Sequence, residues 1–199
     1  MAKLVYDILR MCPNGDKIEF LGYYVTYLNC YVAGGCFKDI FENKRPKDID
    51  LFFKNLTEYQ TALDKIRSNN RFVFKNNTES TITFYDKITG FNIQLISKCF
   101  FENETKLLED FDFTICRFCI FKDRYGLNVL RDIDYFTDLK DKRLSIAGDI
   151  NTPIGTFKRA FKYSKYGFDI TEESLKALGI SIVQLDEDNE EVFELYYED

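Results

Sequence analysis

Residues 34–53 constrain the chain more than any other stretch. Gly34-Gly35-Cys36-Phe37-Lys38-Asp39 is followed shortly by Lys47-Asp48-Ile49-Asp50-Leu51-Phe52-Phe53. On a strand, residues two apart share a face, so Asp48 and Asp50 present their carboxylates together while Ile49 and Leu51 turn into a core. Two carboxylates at that spacing repel unless a cation lies between them. One or two carboxylates completed by substrate phosphates is the usual way Mg2+ is held in nucleotide-handling sites. Upstream, the apolar run Cys30-Tyr31-Val32-Ala33 ends in the glycine pair. Such a strand can turn sharply and bring backbone N–H groups against an anion, with the next segment opening as a helix N-terminus. A DxD or a Gly-Gly alone is commonplace, whereas strand, glycine turn, short helix and DxD strand in that order form a specific combination.

GGCFKDIFENKRPKDIDLFF resembles the signature of the DNA-polymerase-beta-like nucleotidyltransferase superfamily. Within it the likeness is to the head domain of class II tRNA nucleotidyltransferases and bacterial poly(A) polymerases, whose pattern is G-G-x-V-R-D-x-x-x-G-x-x-P-x-D-[IV]-D. Gly34, Gly35, Asp39, Pro46, Asp48 and Asp50 keep register without a gap. Lys38 replaces the family's arginine and Asn43 its glycine; lysine keeps the charge but lacks the planar fork that grips phosphate bidentately. The resemblance implies an α/β (α+β) nucleotidyltransferase fold, a mixed central sheet of about five strands flanked by helices, with a short C-terminal helical neck. It also implies that Asp48 and Asp50 hold Mg2+ or Mn2+, and that Gly34, Gly35 and Lys38 hold the triphosphate of an NTP.

Two further blocks are similar to the same family. Asp112-Phe113-Thr114-Ile115-Cys116-Arg117 resembles R-R-D-F-T-[IM]-N-A, and Asp138-Leu139-Lys140-Asp141-Lys142-Arg143-Leu144 resembles E-D-L-x-x-R-x-L. The family's third carboxylate comes from the strand matching Phe91 to Ile96, where the inward polar residue here is Gln94. Asp112 is the candidate substitute, with ordering of the local backbone as its other role. Thr152 to Phe168 is similar to the neck motif D-P-x-R-x-L-R-x-x-R-F-x-x-K-x-G-F, with Pro153 at a first helical turn and Gly167 at a C-cap. A helix of about four turns is expected. Phe157, Ala160, Phe161 and Ser164 would form its packed side, and Lys158, Lys162 and Lys165 a shared basic face. The resemblance assigns Lys158 and Lys162 to the triphosphate or an RNA end; a solvated helix face is the plainer reading. Segments like FDFT and KY-x-x-x-GF also resemble minimal, head-only nucleotidyltransferases of phages and large viruses.

Elsewhere the pattern is coarser. Gly22 to Leu28 is expected to pack under the first strand. Thr57 reads as the N-cap of a helix over Glu58 to Ser68 with Tyr59, Ala62, Leu63 and Ile66 on one face. Short β-rich runs follow from Arg71 to Ser97. Thr171 caps a helix expected to stop at Gly179. Residues 186–199 form an acidic tail, either solvated or folded against the basic stripe. The expected organisation is a head over 1–145 and a helical neck with tail over 146–199. The resemblance ends where the body and tail domains of class II enzymes would begin.

Composition narrows the chemistry. There is no histidine, which excludes Ser-His-Asp and Cys-His catalysis and HExxH zinc sites. Carboxylate and metal chemistry survives that exclusion. Acids outnumber bases, 33 to 27, which argues against coating long nucleic acid by charge but leaves room for a local basic stripe. Six cysteines without a leading signal segment or long apolar run point to a reduced, cytoplasmic protein with no membrane partner. The lone Cys116–Cys119 pair lacks the further ligands of a zinc site.

The expected function is therefore metal-dependent transfer of a nucleotide from an NTP to an acceptor hydroxyl, by family likeness a tRNA 3′ end, with a protein hydroxyl as another acceptor. The alternative is a degenerate nucleotidyltransferase fold that binds a nucleotide or a host protein without chemistry.

Overall fold

The computed structural model describes residues 4–185. In chain order, β1 (Leu4–Ile8) is followed by α1 (Gly15–Ile18) and α2 (Gly22–Leu28). The glycine and DxD stretch forms β2 (Tyr31–Ala33), α3 (Cys36–Phe41) and β3 (Asp48–Phe52). Next come α4 (Leu56–Arg67), β4 (Phe72–Asn77), β5 (Thr81–Asp86), β6 (Asn92–Ile96), α5 (Glu104–Glu109), β7 (Phe118–Asp123) and β8 (Gly126–Asp132). The chain continues through α6 (Tyr135–Asp141), β9 (Arg143–Leu144), α7 (Pro153–Ser164), β10 (Asp169–Ile170) and α8 (Glu172–Val183).

Eight strands make one mixed sheet in the order β1-β8-β7-β2-β3-β6-β5-β4, in which β3 and β6 run parallel and the other neighbours antiparallel. The mixed α/β architecture matches the expectation, and the sheet is wider than the expected five strands because β1 adds to β8 at one edge and the β4–β5 hairpin extends the other. Alternation along the strands separates two faces. Ile49, Leu51, Ile93 and Leu95 enter the larger core, with Val25, Leu28, Ala62 and Ile66 from α2 and α4. Tyr31, Ala33 and Phe52 on the opposite face join a smaller core under Leu107 and Leu108 of α5. That helix covers only part of the second face, so Asp48, Asp50, Asn92 and Gln94 remain half-buried.

Several local expectations shift. Asn55, not Thr57, caps α4: its backbone is extended and its side chain accepts the Glu58 N–H at 2.9 Å. Helix α8 runs through Gly179 to Val183, since one glycine costs a helix about 1 kcal/mol without ending it. Pro153 does open α7, and Gly167 takes a positive φ of 82° after it, but the helix spans 12 residues, nearer three turns than four. Its packed side is Ile154, Thr156 and Tyr163, whereas Phe157 and Phe161 are 53% and 60% exposed. The rotation follows from Tyr163, whose ring packs edge-on against Phe113 and Phe168. The acidic tail lies outside the described residues. Among those described, no helix is long and apolar enough to cross a membrane.

Candidate nucleotide site

The glycine pair is required by two close approaches. Gly34 has φ +94°, in the left-handed region, and a Cβ there would stand 3.3 Å from the Phe111 ring and 3.9 Å from Asp50 Oδ2. A Cβ on Gly35 would stand 3.1 Å from the Tyr163 hydroxyl. The turn is thus wedged between the acid pair and α7, and it delivers the chain into α3.

Asp48 and Asp50 share the open face of β3. Parallel pairing sets Asn92 beside Asp48 and Gln94 beside Asp50. Asn92 Nδ2 donates to Asp48 Oδ1 at 3.3 Å. Burial, and then the negative charge of Asp48, push the Asp50 carboxyl up to about 6, with Lys162 of α7 opposing the rise. Lys158 lies one turn before Lys162 on the same helix. Two carboxylates crowded together and only partly compensated are a donor set that suits a hard divalent cation completed by phosphate oxygens. Among the described residues no cluster of three or more Asp, Glu, Cys or His side chains adds to them.

Other expected site residues fall elsewhere. Lys38 is buried at 4% exposure, with its ammonium paired to Asp39 and lying 5.1 Å from the centroid of the Tyr166 ring. Asp112 is 7% exposed and acts as a clasp: Arg159 Nε of α7 donates to its Oδ2 at 2.7 Å, and the Phe113 N–H to its Oδ1 at 3.0 Å. Of the two roles open to Asp112, the geometry displays the backbone-ordering one. Asp138 likewise receives the Thr114 hydroxyl at 2.6 Å and Arg143 Nε at 3.0 Å, tying two motif blocks together. The Cys116 and Cys119 thiols are free and buried, and Cys116 Sγ lies 3.0 Å from the Tyr163 hydroxyl. Sequence reasoning missed Asn92, although its place two residues before Gln94 puts it on the same strand face. Two clefts of about 400 Å3 lie away from the acid pair, one beside Phe41, Glu42 and Lys142, the other beside Ser145, Thr171 and Ser174. We take the open face, not either cleft, as the site, because there the glycine turn and the acid pair meet.

The fold is similar to that of CCA-adding enzymes. A CCA-adding enzyme in complex with ATP superposes with a TM-score of 0.64 and 18% identity, over 90% of this chain and 47% of that one. The CTP complex gives 0.58 at 21% identity over 92% and 47%, and the Thermotoga maritima CCA-adding enzyme with tRNA gives 0.55 at 19% over 89% and 45%. The chain thus spans about half the length of these enzymes, and at such identities the likeness is one of fold. The family profile described as Gad2, Gabija anti-defense 2 family protein, matches residues 6–142, and the chain belongs to that family. It is also 26% identical over 85 residues to "Gabija anti-defense 2" of Bacillus phage SPbetaL7, covering 43% of this chain and 20% of that protein.

Proposed function

We propose that the chain is a Mg2+-dependent nucleotidyltransferase of phage origin, acting in the cytoplasm and serving an anti-defense role, that moves a nucleotidyl group from an NTP to an acceptor hydroxyl. The observation that supports it most is the pairing of Asp48 and Asp50 on an open strand face beside Gly34. The acceptor oxygen forms a bond to the α-phosphorus, the bond to the β-phosphate bridge breaks, pyrophosphate leaves, and the acceptor proton passes to solvent. A bound divalent ion would supply charge neutralisation for the phosphates and acidify the attacking hydroxyl. Asp48 and Asp50 would hold that ion, with Asn92 fixing the Asp48 carboxylate. Gly34 and Gly35 let the backbone approach the triphosphate, and Lys158 and Lys162 add positive charge at the edge of the site. Lys38 would join them only by leaving its partner Asp39. By likeness of fold, the acceptor is an RNA 3′ end; a protein hydroxyl is the other acceptor.

The test incubates the full chain and Mg2+ or Mn2+ with each labelled NTP and RNA or host-cell protein. Wild type is expected to transfer label, and Asp48→Asn/Asp50→Asn to slow transfer by about 10³-fold or more. Transfer undiminished in that variant, or absent from wild type with every nucleotide, metal and acceptor, overturns the reading.

Gln94 favours a second reading, in which the fold binds a nucleotide or host protein without chemistry. A neutral amide beside Asp50 contributes no charge to a second metal. Under this reading wild type binds NTP with Mg2+, or a host protein without it, and transfers nothing.

A further inference from the structure

The acids of the chain are unevenly placed. Residues 186–199 hold eight of its 33 acids and none of its 27 bases, so the residues before them carry 25 acids against 27 bases. A chain of net charge −6 is thus a slightly basic body followed by a strongly acidic segment. A run of like charge is ordinarily solvated, yet Val192, Phe193, Leu195, Tyr196 and Tyr197 are interleaved with these acids. A segment of that composition is complementary to a surface that is both aromatic and basic.

Helix α7 presents such a surface. Phe157 and Phe161, four residues apart, are both more than half exposed on the side away from buried Thr156 and Tyr163. Lys165, one turn past Phe161, holds its ammonium 4.5 Å from the centroid of that ring, and Lys158, three residues before Phe161, shares the face. The first turn of α7 contains no acid, and Thr152 gives it no side-chain cap, so the positive end of the helix dipole adds to the lysines. The acidic segment leaves from beside this helix, because α8, which precedes it, packs against α7. Each helix has 12 residues and is about 18 Å long, whereas 14 extended residues span about 46 Å. Every point of the face is within reach.

We propose that the outer face of α7 is the docking surface for the chain's own residues 186–199, with their aromatic side chains against Phe157 and Phe161 and their acids beside Lys158 and Lys165. The face points away from the glycine turn, so docking covers α7 without closing the candidate site. It requires neither metal nor NTP and stands or falls apart from the transfer reading.

The chain has no tryptophan, so Phe193→Trp in the full-length protein places one reporter in the segment. Acrylamide quenching of its fluorescence measures its exposure. The reporter is expected to be shielded, and equally so over a wide dilution range. Adding Phe157→Ala/Phe161→Ala should lower the ratio of docked to free segment by about two- to tenfold, the loss expected for aromatic pairs. Lys158→Glu/Lys165→Glu should shift it in the same direction, and added salt should release the reporter by screening. Phe74→Ala, at another exposed ring on β4, should change nothing. Circular dichroism should be unaltered throughout, since these side chains are exposed. A reporter as open to acrylamide as free tryptophan overturns the proposal, and so does shielding that survives the loss of both rings. Shielding that fades on dilution overturns it too, giving the face to the segment of a second copy.

Discussion

Asp86 and Asp50 lie two strands apart on one sheet, and the fold drives their carboxyl groups in opposite directions. Burial alone would raise both. At Asp86 it is outweighed by donors from the chain itself: Arg71 grips both oxygens at 2.7 and 2.5 Å, the Tyr24 hydroxyl donates at 2.6 Å, and the Ile88 N–H and Thr89 hydroxyl complete the shell. The carboxyl is held well below the usual range. At Asp50 burial is reinforced by Asp48 and only partly opposed by Lys162. One acid is satisfied by the fold and the other is not, which under the proposed function leaves it for a cation. That contrast separates a structural carboxylate from a functional one more surely than burial does.

The largest effect should come from breaking the satisfied member. Asp86→Ala leaves Arg71, itself only 13% exposed, without its partner and leaves the Tyr24 hydroxyl with Thr89 alone. The expected loss is about 3–5 kcal/mol in denaturant unfolding. The depressed carboxyl also fixes the sign of the acid response. Its contribution is complete above the unfolded-state value near 4 and disappears as pH falls toward the folded value. Wild type should therefore lose stability on acidification below about pH 4 with a steeper slope than Asp86→Asn. Equal slopes would mean that the network does not hold the charge.

Asp112 is intermediate, with a single cation on a half-exposed Arg159, whose side chain is 45% exposed. Arg159→Ala should cost about 1–2 kcal/mol, less than Asp86→Ala because solvent can reach the abandoned carboxylate. Since the clasp holds α7 to the loop before β7, the same variant should also weaken Mg2+-dependent nucleotide binding through Lys162. Measuring unfolding and nucleotide affinity together checks both. A change in affinity without one in stability would contradict the clasp.

Much of this contrast was legible beforehand. The alternation of Asp48-Ile49-Asp50-Leu51 dictates which side chains share the open face, and the glycine pair announces the turn. Gln94 was recognisable as an amide where an acid was expected. The Asp86 network was not, because Tyr24 lies 62 residues from its partner and nothing local distinguishes Asp86 from any acid at a hairpin end. β1 carries no comparable signal, because Leu-Val-Tyr-Asp-Ile is too short and has apolar side chains on both faces. The packed side of α7 was misread for a physical reason: an apolar pair at i and i+4 marks a packed stripe or a binding stripe equally well. Tertiary contacts of Tyr163 and Arg159 decide which.

The smallest effect has the most diagnostic sign. With its carboxyl raised to about 6, Asp50 favours the fold fully below the unfolded value near 4, and this advantage is lost as pH rises through 6. Without metal the ionised pair is then a net burden. Asp50→Asn should thus stabilise the metal-free protein by about 1–2 kcal/mol at about pH 8, or about 2–8 °C in Tm, and by much less at about pH 4. Added Mg2+ should reverse the order, raising the Tm of wild type with little effect on the variant, since a ligand stabilises only the state that binds it. Thermal unfolding at two pH values, with and without Mg2+, gives all four comparisons. If Asp50→Asn destabilises the metal-free chain at high pH, the acid pair is satisfied internally after all, and the contrast with Asp86 collapses.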